Sequence, residues 1–99
     1  MKALFSNFRE KWLIGKHTNP AYVLNYIMIL TKNDMLTDAK AMNKKLIDYT
    51  ESSAGVASDF KIKVIRHSVI LYSKLLKFNK ALQLIDKYYE LTNEYIQQI

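Results

Sequence analysis

Apolar residues recur along this chain at helical spacing, and no stretch alternates convincingly with a period of two. Five segments carry the pattern. In the first, about residues 2–14, Leu4, Phe8 and Trp12 fall every fourth residue with Phe5 alongside, and Lys2, Arg9 and Lys11 surround the stripe. Gly15 supplies a stop, because glycine readily takes the left-handed conformation at a helix end. The second segment opens at Asn19-Pro20. Asparagine is a favoured N-cap, and proline is favoured just inside because its missing N–H would go unpaired there anyway. Tyr22, Val23, Tyr26, Ile27, Met28, Ile29 and Leu30 leave this helix almost no polar face, which predicts the most buried helix of the fold. Lys32-Asn33-Asp34 closes it.

Thr37 or Asp34 caps the third segment, which runs to about Tyr49 with Ala39, Met42, Leu46 and Tyr49 along one face. Thr50 to Gly55 reads as the longest loop. The fourth segment runs from about Ala57 to Lys77. Ile62, Ile65, Val69, Tyr72 and Leu76 form a packing seam, and Val64, Ile70, Leu71 and Leu75 widen it, so this helix should touch neighbours on two sides. Asn79 caps the fifth, which turns Ala81, Leu84, Ile85, Tyr88, Leu91, Tyr95 and Ile99 inward. These patterns predict an all-α domain of about five helices arranged as stacked antiparallel hairpins. Residues 1–18 form an N-terminal helix and loop, 19–50 a first hairpin and 56–99 a second.

The two hairpins resemble each other. With Ala39 placed over Ala81, at an offset of 42 residues, Ile27 meets Val69, Met28 meets Ile70, Leu30 meets Tyr72, Lys32 meets Lys74 and Leu36 meets Phe78. Downstream, Met42 meets Leu84 and Leu46 meets Tyr88. Each copy is an apolar helix, a short polar turn, a large apolar residue three before an alanine, and an amphipathic helix. The alanine suits a close helix crossing. One hairpin cannot bury its own apolar face, so copies stack. The unit resembles the tetratricopeptide and pentatricopeptide helical-hairpin repeats, best over Val69–Leu91, where Tyr72, Phe78 and Ala81 stand where such repeats keep an aromatic, a turn plug and a small residue. It departs from them in having no glycine in either turn, no terminal proline and a longer period. That resemblance implies right-handed hairpin packing and a scaffold for peptide or protein, or for RNA in the pentatricopeptide kind. A second resemblance rests on layout alone: length, basicity, absence of cysteine and four to five helices are similar to the small cytoplasmic bacteriocin immunity proteins. It implies an antiparallel bundle that protects a cell by engaging a membrane receptor complex.

Composition narrows the classes. The 99 residues are the size of one domain, and 49% hydrophobic against 24% charged is a globular balance. With no cysteine, disulfides, thiolate metal sites and cysteine nucleophiles are excluded. No apolar run approaches the roughly 20 residues of a membrane span, and the charged N-terminus lacks a secretory signal's apolar core. These features predict a cytoplasmic protein. The net charge of +6 is uneven. Residues 1–80 carry 14 basic and 6 acidic side chains, whereas residues 81–99 set Lys87 against Asp86, Glu90 and Glu94. A basic body suits an acidic protein patch, a nucleic acid or an anionic membrane surface.

Catalytic signals are thin, and we expect no enzyme and no cofactor. His17 and His67 are far apart in sequence and lie in no metal-binding pattern. His67 sits at the edge of the fourth segment's seam. Asp34 and Asp38 read as helix-start acids that suit the dipole. Asp86, Glu90 and Glu94 read as a solvated row. Lysine outnumbers arginine 13 to 2, and the second helix of any helix-turn-helix over Leu71–Leu91 would be acidic, the wrong sign for a DNA groove. The reading is a protein-interaction module binding a protein or peptide through a basic face of the fourth segment, Lys63, Arg66, His67 and Lys74, with Tyr89 a further contact because adjacent Tyr88 and Tyr89 cannot both point inward. An immunity-type bundle and an RNA- or DNA-binding repeat are the alternatives. The first segment's stripe is a candidate for a peripheral membrane or partner contact.

Overall fold

The computed structural model describes residues 19–53 and 55–98. Over these residues the chain is all-helical, with four helices and no strand: α1 (Pro20–Lys32), α2 (Leu36–Ser52), α3 (Ser58–Lys74) and α4 (Phe78–Gln98). The helix expected over residues 2–14 lies outside the described residues.

Helix α1 begins as the Asn-Pro pair predicts. The Asn19 side chain accepts a hydrogen bond from the Ala21 N–H at 2.9 Å, and Pro20 occupies the first helical position. Its end repeats, bond for bond, at the end of α3. The Met35 N–H donates to the Leu30 carbonyl, and the Lys77 N–H donates to the Tyr72 carbonyl, both at 2.9 Å. Asp34 donates to Thr31 and Leu76 to Ser73; Ala39 donates to Met35 and Ala81 to Lys77. Every pair is related by the 42-residue offset. Together they make two Schellman turns, each passing through a residue in the left-handed region: Asp34 at φ 58° and Leu76 at φ 60°. The turns lack glycine, and these two residues stand in its place.

The turns move several expected boundaries. Neither Thr37 nor Asp34 caps α2: the three-residue turn brings Met35 to the cap position, with no side-chain bond, and Thr37 falls inside the first turn. Helix α2 also runs on to Ser52, where a loop was expected, and the buried Thr50 hydroxyl donates to the Ile47 carbonyl at 2.8 Å. Helix α3 stops at Lys74, short of Lys77, because Leu76 turns left-handed. Leu76 therefore leaves the predicted seam and is 73% exposed. Helix α4 starts at Phe78, so Asn79 lies within its first turn rather than capping it.

Helix α3 has neighbours on two sides. Its Val64 and Leu71 join Val23, Ile27 and Leu30 of α1 and Ala39, Met42 and Leu46 of α2 in one core cluster. Its Ile65 and Tyr72 join Ala81 and Leu84 of α4 in a second, with Val69, Tyr88 and Leu91 against it. Leu75 packs on both. Each fully buried Leu, Ile or Val contributes about 1.5–3 kcal/mol over exposure. Ala39 and Ala81 are both buried, as a close crossing requires.

One expectation fails on α1. Its sequence predicts burial on all sides, yet Tyr22, Met28 and Ile29 are exposed. Helix α1 packs on α2 and along one side on α3. Its remaining face has no neighbour among the described residues.

Candidate functional site, a groove between α1 and α3

The last turns of α1 and α3 flank an open groove of ≈ 370 Å³. Met28 and Ile29 come from α1 and Ile70 from α3, with Lys32 and Lys74 also on its lining. Met28 and Ile70 are exposed to the same degree, 46% each. They are equivalent positions at the 42-residue offset, and so are Lys32 and Lys74. The groove thus gathers matching residues from the two hairpins. Both lysines belong to the last turn of their helix, where a cation suits the partial negative charge of the terminal carbonyls.

Thr31 and His67 complete the lining, and both are buried. The Thr31 hydroxyl donates to the Ile27 carbonyl at 2.8 Å. Its one proton is then used, so the 3.1 Å contact between Thr31 Oγ1 and His67 Nε2 requires the imidazole to donate from Nε2. Burial removes the ring from water and pushes the His67 pKa below 6.5. Burial thus favours the neutral form of the imidazole, which joins α3 to α1 beneath the groove.

The residues expected at a basic contact face divide into three groups. His67 and Lys74 line the groove. His67, however, is only 7% exposed and serves as a hydrogen-bonded wall. Lys63 and Arg66 are exposed about two turns and one turn before Ile70 on α3, on the face that carries Ile70 and Lys74 at i, i+3, i+7 and i+11 spacing. Tyr89 is 62% exposed but belongs to α4, where its ring meets Tyr88 edge-on at a centroid distance of 5.8 Å. It does not line the groove. The sequence reading missed Met28, Ile29, Thr31, Lys32 and Ile70 as site residues. A signal for two pairs was present, since the repeat alignment already matched Met28 with Ile70 and Lys32 with Lys74.

The surrounding charges are lightly paired. Lys74 Nζ lies 3.9 Å from an Asp34 carboxylate oxygen, with both side chains well exposed. At such exposure the pair contributes little. Further round the same end of the molecule, Lys77 lies beside Lys40: its ammonium favours a neutral Lys40 amine that can accept a hydrogen bond, and its charge repels a protonated one, so the Lys40 pKa falls below the usual lysine value. Asp86, Glu90 and Glu94 are exposed on α4, as expected of a solvated row. Among the described residues no three His, Asp or Glu side chains converge on a metal position. No helix among them is long and apolar enough to cross a membrane.

Comparison with known proteins adds no relative: no protein-family model, no curated protein and no solved structure matches the chain.

Proposed function

We propose that the chain is a non-enzymatic, cytoplasmic helical-repeat module that takes an acidic amphipathic peptide segment of a protein partner into the α1/α3 groove. The carrying observation is that two equivalent apolar residues, Met28 and Ile70, and two equivalent cations, Lys32 and Lys74, line one groove. Apolar walls beside ammonium groups favour a ligand with apolar residues along one edge and carboxylates next to them. The apolar contacts anchor such a ligand, while the cations steer its approach and select against basic competitors. Lys63 and Arg66 extend the positive potential along α3. Right-handed stacking of the two hairpins, of the tetratricopeptide kind, fits this reading, because it aligns the first helices of successive hairpins on one surface.

Capture from the source organism's lysate tests the reading, with nuclease present and with three baits: wild type, Ile70→Glu and Lys32→Glu/Lys74→Glu. Ile70 and both lysines are solvent-exposed, so the variants keep the helical circular dichroism of the wild type. The expected result is a protein that survives nuclease, is lost with Ile70→Glu and is weakened with the double charge reversal. Material retained equally by all three baits would remove the groove from consideration. Recovery that vanishes with nuclease would favour the nucleic-acid reading. A membrane transporter among the captured proteins would favour the immunity reading.

A further inference from the structure

The 42-residue offset also identifies two apolar faces that the described chain leaves uncovered. Helix α3 sits on the first hairpin through Val64, Ser68 and Leu71, each 0% exposed. Two of these positions have bare counterparts on α1: Tyr22, matching Val64, is 64% exposed, and Ile29, matching Leu71, is 51% exposed. Helix α2 shows the converse. Its Leu36 and Ile47 pack against the first core, and its buried Asn43 donates to Ser68 of α3 at 2.9 Å. The α4 counterparts of Leu36 and Ile47 are Phe78, 59% exposed, and Tyr89, 62% exposed. Leu82 and Ile96 extend this ridge and are exposed to a similar degree. Phe78, Leu82, Tyr89 and Ile96 fall at i, i+4, i+11 and i+18, one stripe along α4.

We propose that the chain stacks head-to-tail on a second copy of itself, with α1 of one copy seated on the α4 ridge of the next. The contact would repeat between copies the packing by which α3 covers α2 within one. Charge selects this arrangement over α4 against α4. Asp86, Glu90 and Glu94 are exposed beside the ridge, so pairing two α4 helices would bring two acidic rows together. Head-to-tail stacking instead sets the acidic helix against α1, which carries no acidic residue and ends in Lys32. Such a contact uses different surfaces on the two copies, so it generates an open series rather than a closed dimer unless its rotation closes a ring. Ile29 belongs both to this face and to the lining of the α1/α3 groove, but the stacking does not depend on the groove binding anything.

The test is sedimentation of the full chain from micromolar to millimolar concentration, for the wild type, Tyr22→Glu and Tyr89→Glu. Both tyrosines are exposed, and circular dichroism checks that each variant folds. The wild type is expected to gain mass with concentration past the dimer. Each variant alone should remain a monomer, because each lacks one of the two faces. Mixed together they should form a dimer and nothing larger, since Tyr22→Glu retains the ridge and Tyr89→Glu retains the α1 face. Ile70→Glu, which abolishes capture through the groove, should follow the wild-type curve. A wild type that stays monomeric overturns the proposal. So does assembly that survives Tyr22→Glu but not Tyr89→Glu, which would mean α4 pairing with α4. The apolar stripe of residues 2–14 is the rival occupant of α1. Its Trp12 is the chain's one tryptophan, and a blue-shifted emission that is independent of concentration and lost in Tyr22→Glu would assign the α1 face to that segment and overturn the stacking.

Discussion

Replacing Leu76 with glycine should stabilise this chain, although the change deletes a large apolar side chain. Leu76 closes the turn between α3 and α4 at φ 60°. In that region the Cβ of an L-residue crowds the following carbonyl oxygen, at about 1–2 kcal/mol. The side chain recovers little of this by burial, being 73% exposed. Glycine removes the crowding but enters the fold from a freer unfolded chain, which offsets about 0.5–1 kcal/mol. The expected net gain is about 0.5–1 kcal/mol, and each kcal/mol corresponds to about 4–8 °C in Tm for a domain of this size. Leu76→Ala is the control, since it keeps the Cβ and should be close to neutral. Asp34→Gly should gain less, because aspartate tolerates the left-handed region better than leucine. Urea and thermal unfolding followed by circular dichroism measure all three. If Leu76→Gly proves no more stable than Leu76→Ala, the strain assigned to this turn is absent.

Further outcomes follow from the core and the groove. Because burial holds the folded His67 pKa below 6.5, the unfolded chain binds a proton that the folded chain refuses as pH falls from 6.5 towards the folded pKa. Stability is therefore full above 6.5 and declines on acidification across that window, by at most about 1.4 kcal/mol per pH unit from this group; His67→Gln should flatten that part of the urea-midpoint profile, and an unchanged slope would clear His67 of the effect. Ala39→Leu should cost about 1–3 kcal/mol by overpacking a position with 0% exposure, and an unshifted urea midpoint would mean that α2 does not cross its neighbours closely there. Asn43→Ala should change stability by less than about 1 kcal/mol, because the lost bond to Ser68 is balanced by removing Oδ1, a buried oxygen with no partner among the described residues. Leu46→Ala, equally buried on the same helix, should cost about 2–5 kcal/mol, and similar losses for the two would show that Asn43 is better satisfied than its contacts indicate.

The amino-acid sequence by itself determined the helices, their pairing and the equivalence of the two hairpins. Helical apolar spacing is a local property, and so is an Asn-Pro start. Small residues at Ala39 and Ala81 and matched apolar neighbours were enough to set the 42-residue register, which the two turns then reproduce hydrogen bond by hydrogen bond. Exact helix ends were less legible. Leucine at position 76 carries no mark of a left-handed turn, and only the closing hydrogen bonds from Leu76 and Lys77 impose it.

The site was legible only in part. Lys63, Arg66 and Lys74 share a face because the spacing on α3 dictates it, and Tyr89 is outward because Tyr88 is inward. That Met28, Ile29 and Lys32 meet Ile70 and Lys74 depends on how α1 lies against α3, two helices joined through α2 and separated by dozens of residues. Tertiary packing also decided the burial of His67, since a histidine at the edge of a seam faces water or protein according to what its neighbouring helix presents, here the Thr31 hydroxyl. The same packing left Tyr22, Ile29 and the α4 ridge uncovered. Periodicity states that a face is apolar, but only the arrangement of helices states whether anything lies against it.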